Sequence, residues 1–188
     1  MPKIYLDTGN LEEILYMRKT GIIEGVTTNP ILIRKYLDNK NIQFSDYIPR
    51  LLETNRGLQT FIQPVSNGIN QFVFEAKRLV EKYGGGRDIV IKVPLRIYGQ
   101  KREQYWDGLT VINELSRGKF KVNASAIMSP EQAVLASRAG ATYLAIFTGN
   151  VDDFIRHQAK KEFKGDDYYR DNMESKKESD KGIMCGRI

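Results

Sequence analysis

Residues 88–94 read DIVIKVP, and the reading of that run decides the fold. Ile89, Val90, Ile91 and Val93 are β-branched residues in a nearly unbroken apolar stretch, as expected of a strand buried on both faces in a parallel sheet covered by helices. Lys92 interrupts it. An ammonium in a buried strand must lose its charge or find a partner, because desolvation disfavours the charged form. A neutral lysine amine is a nucleophile: it can attack a ketone and form an imine, an electron sink for breaking or making an adjacent carbon–carbon bond. Two structural readings compete with this, a lysine snorkelling from an edge strand and an ion pair with Asp7. The strand alone does not choose among the three.

Outward from this run, short apolar stretches alternate with longer ones of helical spacing. KIYLD (3–7) precedes the amphipathic LEEILYMRKT (11–20), GVTTNP (25–30) precedes two helical stretches between Ile31 and Asn55, and LQTFIQP (58–64) precedes a helix over about Gly68–Tyr83. After DIVIKVP come a helix near Gly108–Leu115, the stretch KFKVNAS (119–125), a helix from Pro130, and TYLAIF (142–147). Strands separated by single helices are βαβ units, so the class is α/β with a parallel sheet, either open and doubly wound or closed as a (β/α)8 barrel. The 188 residues, 41% of them hydrophobic, suit one domain over 1–188 with a sizeable core. No internal repeat or linker breaks residues 1–155. Residues 156–181 are polar and read as a mobile segment, and GIMCGRI (182–188) reads as a further strand.

Composition removes several function classes. No stretch approaches the ~18 apolar residues of a membrane span, and the first residues enter a strand-like pattern without a signal-peptide profile; the expectation is a cytoplasmic protein with no membrane partner. One cysteine, Cys185, and one histidine, His157, provide neither a disulfide nor a zinc cluster, and Ser-His-Asp chemistry is disfavoured. No metal and no cofactor are expected. The formal charge of +6 points to an anionic partner, a phosphorylated metabolite or nucleic acid. Nucleic acid is disfavoured, because no recognition motif is visible and acids nearly balance the basic residues of the tail.

Polar residues cluster where the apolar strands end: Asp7, Thr27 to Asn29, Gln63, Lys92, then Asn123 and Ser125. In a parallel α/β fold these ends share one face, where sites are assembled from several strands. Some have structural readings. Thr28-Asn29-Pro30 suits a helix N-cap followed by proline, and SPEQ (129–132) suits a capping box. For Thr28 and Ser129 capping is preferred over a direct catalytic role.

IYLDTGN (4–10), GVTTNP (25–30), VIKVP (90–94) and KVNASAIMSPEQAVLASRAGATYLAIF (121–147) together resemble, in order and spacing, the small transaldolase and fructose-6-phosphate aldolase family. The likeness covers most of residues 3–155. It implies a (β/α)8 barrel, which in this chain would be truncated after about the seventh strand. It also implies metal-independent class I aldolase chemistry on a sugar or sugar phosphate, and a ring-shaped homo-oligomer. By motif position, the resemblance makes Lys92 the Schiff-base lysine and Asp7 the acid/base carboxylate. It makes Thr27, Asn29, Asn123 and Ser125 the residues that hold substrate hydroxyls or the carbinolamine, and Gln63 a holder of the catalytic water. Gln63 matches the aldolases, whereas Phe147 matches the transaldolases.

The chain departs from the family at two further places. In IFTGNVDD (146–153) Asn150 stands where the family carries a phosphate-binding arginine, and an amide supplies neither the charge nor the bidentate fork. The stretch LRIYGQKREQYWDG (95–108) is longer than in the family. Its Arg96, Lys101 and Arg102 read as a solvated basic loop or as a relocated anion clamp, with Arg96 and Arg102 the candidate substrate contacts. The alternatives are therefore a barrel of this type with a non-phosphorylated carbonyl substrate or no activity and, further off, a basic protein binding single-stranded nucleic acid.

Overall fold

The computed structural model of the chain describes residues 2–38, 40, 42–95 and 106–158. Six strands are present there, β1 (Tyr5–Asp7), β2 (Gly25–Thr27), β3 (Gln59–Ile62), β4 (Ile89–Pro94), β5 (Val122–Ile127) and β6 (Tyr143–Ile146). They lie in sequence order, every neighbouring pair parallel. Between and after them run α1 (Leu11–Arg18), α2 (Pro30–Leu37), α3 (Phe44–Thr54), α4 (Ile69–Tyr83), α5 (Asp107–Arg117), α6 (Pro130–Arg138) and α7 (Thr148–Gln158). A doubly wound sheet reverses its strand order at a switch point; this one does not.

Contacts across the sheet show that it curls. Gln59 Nε2 on β3 donates to the Tyr143 hydroxyl on β6 at 3.0 Å, and the Phe61 ring meets that of Tyr143 edge-on at 5.2 Å. In a flat sheet these strands would lie about 14 Å apart, with parallel side chains that could not meet. Tyr5 on β1 likewise packs 5.0 Å from Phe61. The six strands are therefore a wall of a (β/α)8 barrel. Alternation fixes what each face carries. Ile62, Ile91, Val93, Val122 and Ala124 join one core cluster with helix residues such as Phe72, Val111 and Ile112, each fully buried Val, Ile or Phe side chain contributing about 1.5–3 kcal/mol. Phe61 and Val90 are buried outside that cluster and face the barrel interior, the face Lys92 shares with Val90.

The helix starts follow from local chemistry. Asn10 caps α1 by accepting from the N–H groups of Glu12 and Glu13, and Asn29 caps α2 ahead of Pro30, accepting from Leu32 N at 2.9 Å. Ser129 Oγ accepts from Gln132 N at 3.4 Å, while Gln132 Oε1 accepts in return from Met128 N at 2.7 Å. The capping box thus closes one residue earlier than the SPEQ pattern predicts. Thr28 does not cap: its hydroxyl donates to Phe61 O at 3.2 Å, tying β2 to β3. Gly108 lets α5 press on the end of β4, since a Cβ there would lie 2.4 Å from Pro94 O.

Three expectations need correction. The edge-strand reading of Lys92 fails, because β4 pairs with both β3 and β5. The fifth strand begins at Val122, since Lys119 turns the chain at φ 61°, and continues to Ile127; Ser125 thus lies inside the strand, opposite Pro94. The strand predicted over 58–64 stops at Ile62. The predicted seventh strand, residues 159–181 of the polar segment, and Arg96, Lys101 and Arg102 lie outside the described residues. Among those described, no helix is long and apolar enough to cross a membrane.

Candidate active site

At the C-terminal ends of the strands a cavity of about 770 Å³ opens, with Lys92 in its lining. The lysine is 4% exposed. Its Nζ lies 3.1 Å from Thr27 Oγ1 on β2 and 3.8 Å from Asp7 Oδ1 on β1, contacts between non-adjacent strands that only the curl permits. Burial pulls the Lys92 ammonium below its usual range, and the Asp7 carboxylate offsets part of that fall. The offset is incomplete for a physical reason. The Asp7 side chain is 58% exposed, so water screens its field before it reaches the dehydrated amine.

The neighbouring strand supplies unused hydrogen-bonding capacity. Asn123 stands beside Lys92 in the β4–β5 register; it is buried, and its Oδ1 has no hydrogen-bond partner among the described residues. Such an atom costs about 1–3 kcal/mol unless a ligand or water meets it. Two residues on, Ser125 is buried in the cavity wall. Ala126 follows at φ 59°, a left-handed conformation an alanine adopts at some cost, where the β5–β6 register shifts. Strain of this kind gathers where a wall is shaped around a ligand.

The predicted residues are largely brought together. Asn29, Gln63, Lys92, Ser125 and Phe147 line the cavity, while Asp7 and Thr27 contact the lysine from the side. Asn29 lines the cavity with its side-chain oxygen engaged as the α2 cap. Asn150 is exposed on α7 and absent from the lining. The sequence did not point to Pro94, Ala126 or the stretch Pro64 to Asn67 as parts of the wall. Proline at or just past the end of an apolar run was the available signal for Pro94, the last residue of β4, and for Pro64, two residues beyond β3.

A parallel barrel wall whose strand ends converge on a buried lysine defines a class, the α/β barrel proteins that build their sites at one mouth. The chain belongs to the transaldolase/fructose-6-phosphate aldolase family, whose sequence model matches residues 4–184. It is 37% identical over 151 residues to a probable transaldolase of Petrotoga mobilis, covering 80% of this chain and 61% of the relative. The values for a probable transaldolase of Thermoplasma acidophilum are 36% over 151 residues, 80% and 61%; for a probable transaldolase 2 of Bacillus cereus they are 30% over 154 residues, 80% and 64%. The chain thus spans about three fifths of the length of these relatives.

Proposed function

We propose that this protein carries out aldol transfer or cleavage on a ketose through an imine on Lys92. The observation that carries this reading is a lysine amine buried at a cavity, held 3.1 Å from a hydroxyl and 3.8 Å from a carboxylate, with burial favouring its neutral form. The Lys92 amine adds to the C2 carbonyl, and the carbinolamine loses water to give the protonated imine. Asp7 accepts the proton of the C4 hydroxyl as the C3–C4 bond breaks; the aldehyde leaves and the bonding pair enters the imine, forming an enamine. The enamine then attacks a second aldehyde, in transfer, or takes up a proton, in cleavage, and water returns the amine. Thr27, Asn29, Asn123 and Ser125 serve the hydroxyls and the carbinolamine, Gln63 the water, and Phe147 the wall. The same reading includes metal-independent carbohydrate chemistry in the cytoplasm and a homo-oligomer.

Borohydride added with dihydroxyacetone or fructose 6-phosphate should leave a stable mass on the peptide containing Lys92. Failure of every ketone to label that peptide, or labelling of a different lysine, rejects the reading. Asn150, where the resemblance leads one to expect arginine, favours a second reading in which the ketose carries no phosphate. A kcat/KM equal for a phosphorylated ketose and its dephosphorylated form supports it, and a preference for phosphate of about tenfold or more rejects it.

A further inference from the structure

Five consecutive residues, Gln63 to Asn67, line the cavity from the segment between β3 and α4. The segment is neither strand nor helix, so its backbone N–H groups need partners outside a ladder. Pro64 has none to offer. Val65 N lies 3.2 and 3.1 Å from the two carboxylate oxygens of Glu75, and Ser66 N donates to Oε2 at 2.8 Å. The Ser66 hydroxyl donates to the same oxygen at 2.5 Å.

Glu75 belongs to α4, whose Phe72, Val73 and Ala76 are buried in the core. Phe72, one turn before Glu75, itself lines the cavity. Gly68 turns the chain into that helix at φ 85°, a conformation that suits glycine. A single carboxylate on a fixed helix therefore gathers two backbone donors and a hydroxyl, and charge-assisted bonds of this kind are about twice as strong as neutral ones.

We infer that Glu75 is a positioning residue: it clamps the 64–66 segment so that this wall and the preceding Gln63 stand at a fixed distance from Lys92. The inference rests on the imine reading for its consequence, since the clamped wall is the surface against which the ketose lies. Glu75 does not touch the lysine, so it acts on fit and leaves the amine's acidity unaltered.

The test uses the full chain and two variants, Glu75→Gln, which keeps the size and removes the charge, and Glu75→Ala. Amide hydrogen exchange at Val65 and Ser66 should accelerate about tenfold or more in both, with Ile91 and Val93 in the core unchanged, separating a loosened segment from a loosened fold. The dihydroxyacetone concentration for half-maximal borohydride trapping at Lys92 should rise about fivefold or more, while the maximal trapping rate stays within about twofold. The pH at which Lys92 becomes half-reactive should not move. Unchanged exchange at Val65 and Ser66 overturns the clamp. Faster exchange with an unchanged half-saturating concentration, or with a shifted pH midpoint, overturns the positioning role. A parent protein that takes up no ketone refutes the imine reading and with it the effect on ketone fit; faster exchange at Val65 and Ser66 then remains the signature of the clamp alone.

Discussion

Lys121 and Lys92 stand near opposite ends of the barrel wall, and the same side-chain chemistry is driven in opposite directions. Lys121, just before β5, is half-exposed and lies 2.8 Å from Asp88 Oδ1; that hydrogen bond raises its pKa. Asp88 accepts from Gln59 through its other oxygen at 2.9 Å, so its carboxylate meets two direct donors, while the buried Gln59 Oε1 has no partner among the described residues. Lys92 is 5% exposed as a side chain and stands 3.8 Å from a carboxylate that is mostly in water, and burial lowers its pKa. Beside Lys92 a buried Asn123 oxygen is likewise without a partner among the described residues. Direct contact with a partner stabilises a charge at the base; at the mouth, desolvation with a more distant partner favours the neutral amine.

Removing each lysine in turn gives the largest expected difference. Lys92→Met should abolish the borohydride-trapped ketone adduct in intact-mass spectra, whereas Lys121→Met should leave the yield within about twofold. Asp7→Asn comes next. Carbon–carbon bond cleavage, followed by aldehyde release, should slow by about 10²- to 10⁴-fold, the usual contribution of one positioned proton acceptor. The pH for half-maximal trapping should nonetheless fall, because the Asp7 charge raises the Lys92 pKa and its removal frees the neutral amine at lower pH. An upward shift of that midpoint would break the comparison.

Stability should register the contrast more gently. The folded pKa of Lys92 lies below the ordinary 10.5, so the unfolded chain binds more protons between those two values. The resulting penalty on folding is fully present below the folded pKa and fades as pH rises through 10.5. Lys92→Met should therefore raise stability by about 1–2 kcal/mol near neutral pH, in line with replacing a buried ion by an apolar group. Denaturant unfolding at several pH values should show the gain shrinking over that window. Lys121 has the opposite sign: its contribution is present below 10.5 and lost as pH rises through its raised folded pKa. Lys121→Met should cost less than about 1 kcal/mol, as exposed pairs do.

What could be read in the sequence was set by range. Lys92 was legible because a charge within an apolar run is a local anomaly, and the caps at Asn29 and Ser129 because cap, proline and helix are consecutive. The α/β alternation followed from periodicity. Closure toward a barrel did not, since inward and outward residues alternate identically in flat and curled sheets; the resemblance to the family supplied it. Thr28 was misread because its partner, Phe61 O, is 33 residues away. Glu75 gave no signal: on an amphipathic helix it resembles any solvated glutamate, and only the fold brings it under the N–H groups of Val65 and Ser66. The start of β5 was placed too early because nothing in KFKVN marks Lys119 as left-handed.

The most direct test of the central claim is the pH dependence of ketone labelling at the Lys92 and Lys121 peptides in one sample, with dihydroxyacetone and borohydride and mass read site by site. Lys92 should saturate with ketone and reach half its maximal labelling below pH 10.5, while Lys121 should label weakly, in proportion to ketone, with its midpoint above 10.5. Coincident midpoints, or a Lys92 peptide that labels no better than Lys121, would contradict the assignment of Lys92 as the nucleophile of this barrel.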